Sequence, residues 1–206
     1  MPKVSEAHIE ARRAQVLEAA FRCFASKGFH QTTMDDICRE AELSPGAVYR
    51  YFPSKEDIIG AICDESRGQQ ATLIHAARQH ESFTAVMDGL AQAYFSQLKD
   101  PTSAAGFKLN IQLWAEALHN PRVRTLLQGS LGAVLIPFTE IIRQAQKRGE
   151  LNPSVDAESV ARVMVALFHG LLVQKSVDPE VDVLKFMATM ETMTQQFFAG
   201  GQGAKA

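Results

Sequence analysis

Three helix-start signals fall between residues 33 and 54. Thr33, Ser44 and Ser54 each place a short side-chain oxygen where the free amides of a first helical turn need an acceptor. Asp35 and Asp36 follow Thr33, and acids suit the positive end of a helix. Pro45 follows Ser44 and sits where a missing N–H costs nothing. Asp57 lies three positions after Ser54, as in a capping box. Starts this close together force two short helices and the opening of a third. Ile37, Cys38 and Ala41 share one face of the first, and the small Cys38 lets another helix cross closely. Val48 and Phe52, four apart, share the inner face of the second, and Leu43 plugs the core between them. Pro45, Ala47, Arg50 and Tyr51 are left facing outward, with Tyr49 at the edge. A tight pair of helices whose second member presents small residues with Arg and Tyr describes a helix-turn-helix DNA reader. A plain structural helical hairpin is the alternative.

Charge alone would not have pointed there. The 206 residues carry a net charge of −2, which excludes a generally basic nucleic-acid coat protein. Residues 1–55 hold eight Lys/Arg against seven Asp/Glu, and the remainder 13 against 16, so the case rests on where charges stand. A hydrophobic content of 46% is enough for one good core or two modest ones. Cys23, Cys38 and Cys63 lack metal-ligand spacing; Cys23 and Cys38 fall on apolar helix faces as buried thiols, with a redox sensor as the alternative. The odd cysteine count and a first segment unlike a secretory leader lead us to expect a cytoplasmic protein. No run of about 18 apolar residues is evident, so no membrane partner is expected.

The rest of the chain reads as helix throughout, with no alternating strand pattern. Residues 1–7 are expected as a loose arm and 5–27 as the first helix, buried along Val16, Leu17, Ala20, Phe21 and Phe24. Arg12 and Arg13 near its start reach either phosphate or solvent. Further helices are expected at 54–79, 82–98 and 103–119, a short one opening at Asn120-Pro121, then 131–148, 156–177, and a last one starting at Asp178-Pro179 and ending near 198. The helix at 156–177 is apolar nearly all round. Val160, Val163, Met164, Leu167, Phe168, Leu171 and Leu172 share one face; Ala161, Val165, Ala166, Gly170 and Val173 continue around the other. Either it is the central core helix of a monomer, or its second face meets another subunit. The second reading makes Ala166, Gly170, Val173, Met187, Met190 and Phe197 interface residues.

Catalytic patterns are missing. There is no Gly-x-Ser-x-Gly turn and no glycine-rich phosphate loop, and the six histidines lack ligand pairing, so no enzyme activity, cofactor or metal is expected. His169, inside an apolar helix, reads as a core histidine, a ligand contact or a metal ligand. Phe107 and Trp114 are seven apart, as core residues or pocket lining. An all-α enzyme or scaffold with an incidental hairpin remains a third class, without a residue to support it.

Residues 16–59 carry a resemblance to a known family. VLEAAFRCFASKGF, TTMDDI and LSPGAVYRYFPSKEDII occur in the order and spacing of the N-terminal domain of TetR-type transcriptional repressors. Two departures stand out. Glu42 occupies a turn position that often holds Gly, where a positive φ would carry strain. Pro45-Gly46-Ala47 replaces a frequent Lys-Gly-Thr, removing one phosphate-binding charge. The resemblance implies an all-α fold of about nine helices: a three-helix DNA-binding domain at 1–53, an effector-binding and dimerisation domain at 54–199, and a disordered tail at 200–206. It implies a homodimer on a palindromic double-stranded operator. Ser44, the Gly46 amide and Tyr49 would hold phosphates, Thr33 and Lys55 would clamp the backbone, and Pro45, Ala47, Arg50 and Tyr51 would face bases. A small, largely apolar effector would bind near Phe107, Ile111, Trp114, Leu118, Met164, Phe168 and His169 and move the fourth helix. A family member without an effector, in an architectural or division-linked role, is the alternative.

Overall fold

The computed structural model describes the backbone of residues 5–77, 82–98 and 101–198, with side chains except those of 77, 94–98, 101–104 and 195–198. The described residues form nine helices and no strand: α1 (Glu6–Lys27), α2 (Met34–Glu40), α3 (Pro45–Tyr51), α4 (Lys55–Ala77), α5 (Phe83–Leu98), α6 (Pro101–Ala117), α7 (Pro121–Lys147), α8 (Ala157–Val177) and α9 (Val183–Phe198). The first residues of the expected arm and the whole expected tail, 200–206, lie outside them.

The caps fall where local chemistry places them. Ser5 caps α1 by accepting from the His8 amide. Thr33 and Asp36 form a reciprocal capping box on α2: the Asp36 amide donates to Thr33 Oγ1 (3.1 Å) and the Thr33 amide to Asp36 Oδ2 (3.0 Å). Ser44 accepts from the Ala47 amide, and Ser54 from the Asp57 amide, each at 3.3 Å.

The turn after α2 ends the helix in a Schellman motif. The Leu43 amide reaches back to the Cys38 carbonyl (3.1 Å) and the Glu42 amide to that of Arg39 (3.2 Å). This geometry needs a left-handed residue between helix and plug. Glu42 supplies it at φ 53°, the one non-glycine positive φ among the described residues. The same two bonds close α7 at Gly149, φ 77°, where glycine makes the conformation free of strain.

Two compact units divide the chain. The first comprises residues 1–66 and 105–130, the second 67–104 and 131–206, so that α4, α6 and α7 each contribute to both. In the first unit, Val16, Phe24, Ile37, Val48, Phe52, Ile58 and Ile59 bury against Leu109, Leu113, Val123 and Leu127. In the second, Ile74, Phe83, Val86 and Leu90 bury with Leu135, Phe138, Ile141, Ile142, Val160 and Met164.

Four expectations need correcting. First, the short helix at 121 and the helix at 131 are one helix, α7, running through Gly129, Gly132 and Pro137. An interior proline costs ~3 kcal/mol and each glycine ~1 kcal/mol. Burial of Val123 and Leu127 at one end, and of Leu135, Phe138, Ile141, Ile142 and Ala145 at the other, outweighs them. Second, α9 starts at Val183, where Asp182 accepts from the Lys185 amide (3.1 Å). Asp178 instead makes a local turn by accepting from the Glu180 amide, and Lys175 Nζ ties the Pro179 and Val181 carbonyls behind it. Third, Ala161 and Val163 exchange faces on α8. Ala161 follows Val160 and Met164 inward, whereas Val163 is exposed. Fourth, α7 and α8 each contain an 18-residue window of mean hydropathy 1.4, long and apolar enough to cross a membrane by composition. Their charges gather toward the helix ends, leaving middles whose inner faces serve the two cores.

Candidate nucleic-acid interface

Helix α3, the expected recognition helix, is fixed from behind. Val48 and Phe52 are fully buried, and Arg13 of α1 lays its guanidinium 4.6 Å from the centre of the Phe52 ring. Arg12 bonds Gln15 Oε1 (2.8 Å), so Arg12 and Arg13 both engage groups of this unit. What α3 shows outward is Pro45, Gly46, Tyr49 and Arg50, all exposed, with Ala47 half-buried. No described residue forms an ion pair with Arg50, so its five donors point into solvent from a rigid helix. Tyr51 is half-buried and packs on the unit's core, which leaves less of its ring to offer than a fully outward position would. Ser44 uses its oxygen as an acceptor within the cap, and its hydroxyl proton remains to donate.

Thr33 and Lys55 stand on either side of a tightly held corner. The Thr33 hydroxyl both accepts from the Asp36 amide and donates to Asp36 Oδ2 (2.9 Å). Asp36 also takes Lys27 Nζ at 2.6 Å. The bond from Lys27, with those from the Thr33 amide and hydroxyl, holds the Asp36 carboxyl well below the usual carboxylate range. Lys55 Nζ donates to the carbonyls of Phe29 (2.9 Å) and His30 (3.4 Å) and lies 4.7 Å over the Phe29 ring. Lys55 is therefore an internal strut as well as a surface cation.

Several anchors of this corner gave no signal in the sequence. Gln112 of α6 accepts the Phe29 amide, Arg122 of α7 pairs with Asp57 and bonds Ser54 Oγ (3.2 Å), and Asn120 donates to Glu56 (3.2 Å). All span more than 60 positions, so no local pattern could announce them. Burial pushes the Cys23 and Cys38 thiols up, as befits inert core sulfurs.

The remaining expected sites divide between the units. In the first, Phe107 and Ile111 are half-buried, Trp114 is exposed with its indole N–H on Asn110 Oδ1 (3.0 Å), and Leu118 is 70% exposed. In the second, Met164 is buried in the core, and Phe168 and His169 are half-buried with ring centres 6.3 Å apart. Desolvation lowers the His169 pKa and favours the neutral ring. Of the expected interface residues, Ala166 and Val173 are exposed, Gly170 and Met187 half-buried, and Met190 is 7% exposed against its own subunit. The Phe197 side chain lies outside the described residues. Between α8 and α9 runs an open cleft of about 350 Å³, floored by Leu167, Phe186, Met190 and Met193 with Asp182 and Lys185 at its rim.

Known proteins share this arrangement. A family model described as "Bacterial regulatory proteins, tetR family" matches residues 16–62, and one described as "BetI-type transcriptional repressor, C-terminal" matches residues 91–199. The HTH-type transcriptional regulator TtgR of Pseudomonas putida is 30% identical over 202 residues, covering 92% of this chain and 94% of that one. Among solved structures, Salmonella enterica GusR is 29% identical with a TM-score of 0.79, covering 94% and 97% of the two chains. A SmeT–triclosan complex, 20% identical, shares the fold with a TM-score of 0.78 over 93% of each chain. A helix-turn-helix head, its matching C-terminal region and a relative similar over nearly its full length agree: the chain belongs to the TetR family and is a helical, DNA-binding transcriptional regulator.

Proposed function

We propose that the protein is a cytoplasmic repressor without enzymatic activity, acting as a homodimer that sets one α3 into each of two major-groove half-sites of a palindromic operator. The observation that carries this reading is the outer face of α3, where exposed Arg50, without an ion pair among the described residues, stands beside Pro45 and Ala47 on a helix locked by Val48 and Phe52. Arg50 reads guanine bidentately, and Pro45 and Ala47 offer only apolar contact, as to a thymine methyl. Ser44, the Gly46 amide and Tyr49 hold phosphates on one side, and Thr33, Lys55 and the first amides of α2 on the other. Residues 1–53 form the reading head, and 54–199 the regulatory part.

The outer face of α8 and α9 supports the dimer. Val163, Val173, Val177, Leu184 and Met193 are exposed, and nothing lies within 4 Å of a Cβ built on Gly170. Such a face is buried against a second copy.

Release from DNA is effected by a small, largely apolar molecule. The triclosan complex of the similarly folded SmeT supports that class of ligand. The testing experiment is a mobility shift with duplexes selected from random sequence, repeated with added triclosan as probe. Binding to a two-fold symmetric site is the expected result. Failure to enrich any duplex would overturn the DNA reading, and triclosan without effect on the shift or on Trp114 emission would remove the support SmeT lends to this ligand class.

A further inference from the structure

We infer that Gln112, on α6, is a positioning residue for DNA binding: it holds the loop between α1 and α2 so that Thr33 and Lys55 stand ready for phosphate. The inference rests on the phosphate-clamping roles proposed above for those two residues.

The loop, residues 28–32, belongs to no helix, so its backbone groups must find partners elsewhere. Its one long-range amide bond among the described residues goes to Gln112, whose Oε1 accepts from the Phe29 N–H at 2.9 Å across 83 positions. Gly28 makes room for that acceptor. A Cβ there would stand 3.3 Å from Gln112 Oε1, and its φ of +85° disfavours any side chain. On the other side, Lys55 Nζ takes the Phe29 and His30 carbonyls, and the buried Thr32 hydroxyl returns to the Gly28 carbonyl at 2.7 Å. Phe29 is thereby gripped at both backbone groups, with its ring packed 5.3 Å from Phe24 and under the Lys55 ammonium. Removing the Gln112 acceptor would leave the Phe29 amide without its partner and free the loop to shift. Thr33 follows that loop directly, and Lys55 is bonded to it. One side chain on α6 thus sets the place of one helix start and of the Lys55 ammonium.

The test uses the full chain, a duplex selected from random sequence and a random duplex. Gln112→Met keeps the length and removes the carbonyl. It should weaken both duplexes alike, about five- to tenfold, lower the salt slope by about one and leave single-base preferences unchanged. Amide exchange at Phe29 should quicken at least tenfold. Gln112→Glu keeps an acceptor and should hold the slope and the Phe29 exchange rate of the wild type. A merely structural role would lower the melting temperature of Gln112→Met and leave the slope intact, and that result overturns the inference. If Gln112→Met fails to fold, Gln112→Glu decides alone: a wild-type slope supports the inference and a slope lower by one overturns it. Wild-type protein that binds no duplex overturns the DNA reading itself, and this inference with it.

Discussion

Gln15 on α1 donates its side-chain N–H to the carbonyl of Ala41, 2.7 Å away and 26 positions along the chain. Ala41 ends α2, and the next residue is Glu42 in its left-handed conformation. The first helix thus holds the turn that sets the angle between α2 and α3, and a residue ill suited to that turn is kept in place by a bond from outside it.

Glu42→Gly should therefore stabilise the protein. A left-handed residue other than glycine costs ~1–2 kcal/mol, and glycine returns part of that by loosening the unfolded chain. The expected net gain is about 0.5–1 kcal/mol, read as a higher urea midpoint at unchanged slope. Gln15→Leu should lower the midpoint, and Glu42→Gly should recover part of the loss. A Glu42→Gly protein less stable than wild type would show that the side chain has a stabilising role the turn geometry does not include.

Arg50 and Lys55 should part company under mutation. Arg50→Ala removes the proposed groove-facing donor and should flatten preference at one position per half-site, at ~1–3 kcal/mol for the preferred base, with melting temperature unchanged. Lys55→Ala should weaken selected and random duplexes alike. It should also lower the melting temperature, because it orphans the Phe29 and His30 carbonyls. Uniform weakening by Arg50→Ala with base preference intact would reassign Arg50 to the DNA backbone.

Acid should loosen the head through Asp36. Its folded pKa is depressed, first by the Lys27 bond and then by Thr33, so its contribution is present above the ordinary value of 3.8 and is lost as pH falls below that toward the lowered folded value. Asp36→Asn and Lys27→Met should each reduce the fall in urea midpoint between pH 5 and pH 3 relative to wild type. Equal acid sensitivity in all three proteins would place the responsible carboxylate elsewhere, with Glu150 and Asp156, also lowered, the next to examine.

Gly170→Glu offers a clean probe of the proposed dimer. The space around Gly170 is open within the subunit, and glutamate is the better helix former, so the isolated chain should tolerate it. Buried against a second copy, the carboxylate would cost several kcal/mol. Sedimentation at micromolar concentration should show a helical monomer with collapsed operator affinity. A dimer that persists would put the contact on another face.

The head was legible because its signals are local. Thr33, Ser44-Pro45 and Ser54 act within four residues, and Glu42 could be recognised as a strained turn residue because the family it resembles often has Gly there. α7 was not legible, because Gly129, Gly132 and Pro137 read as breaks at short range while the burial that overrides them comes from distant helices. The start of α9 was misplaced for a related reason: Asp178 and Asp182 are both competent caps, and Lys175 decides between them from the preceding helix. Gln112 left no trace, since a glutamine amid helix formers looks like any solvated residue until the partner amide is known.

The sharing of α4, α6 and α7 between the two units has a consequence for anyone recombining regulators. A fragment ending at residue 53 would carry Val16, Phe24, Val48 and Phe52 into water without Ile58, Ile59, Leu113, Val123 and Leu127 to cover them. A chimera that transplants operator specificity must therefore move residues 105–130 along with 1–66, or graft only the outer face of α3 and leave its buttress native. The inheritable module of this protein is discontinuous, and its reading surface can be exchanged more safely than its reading domain.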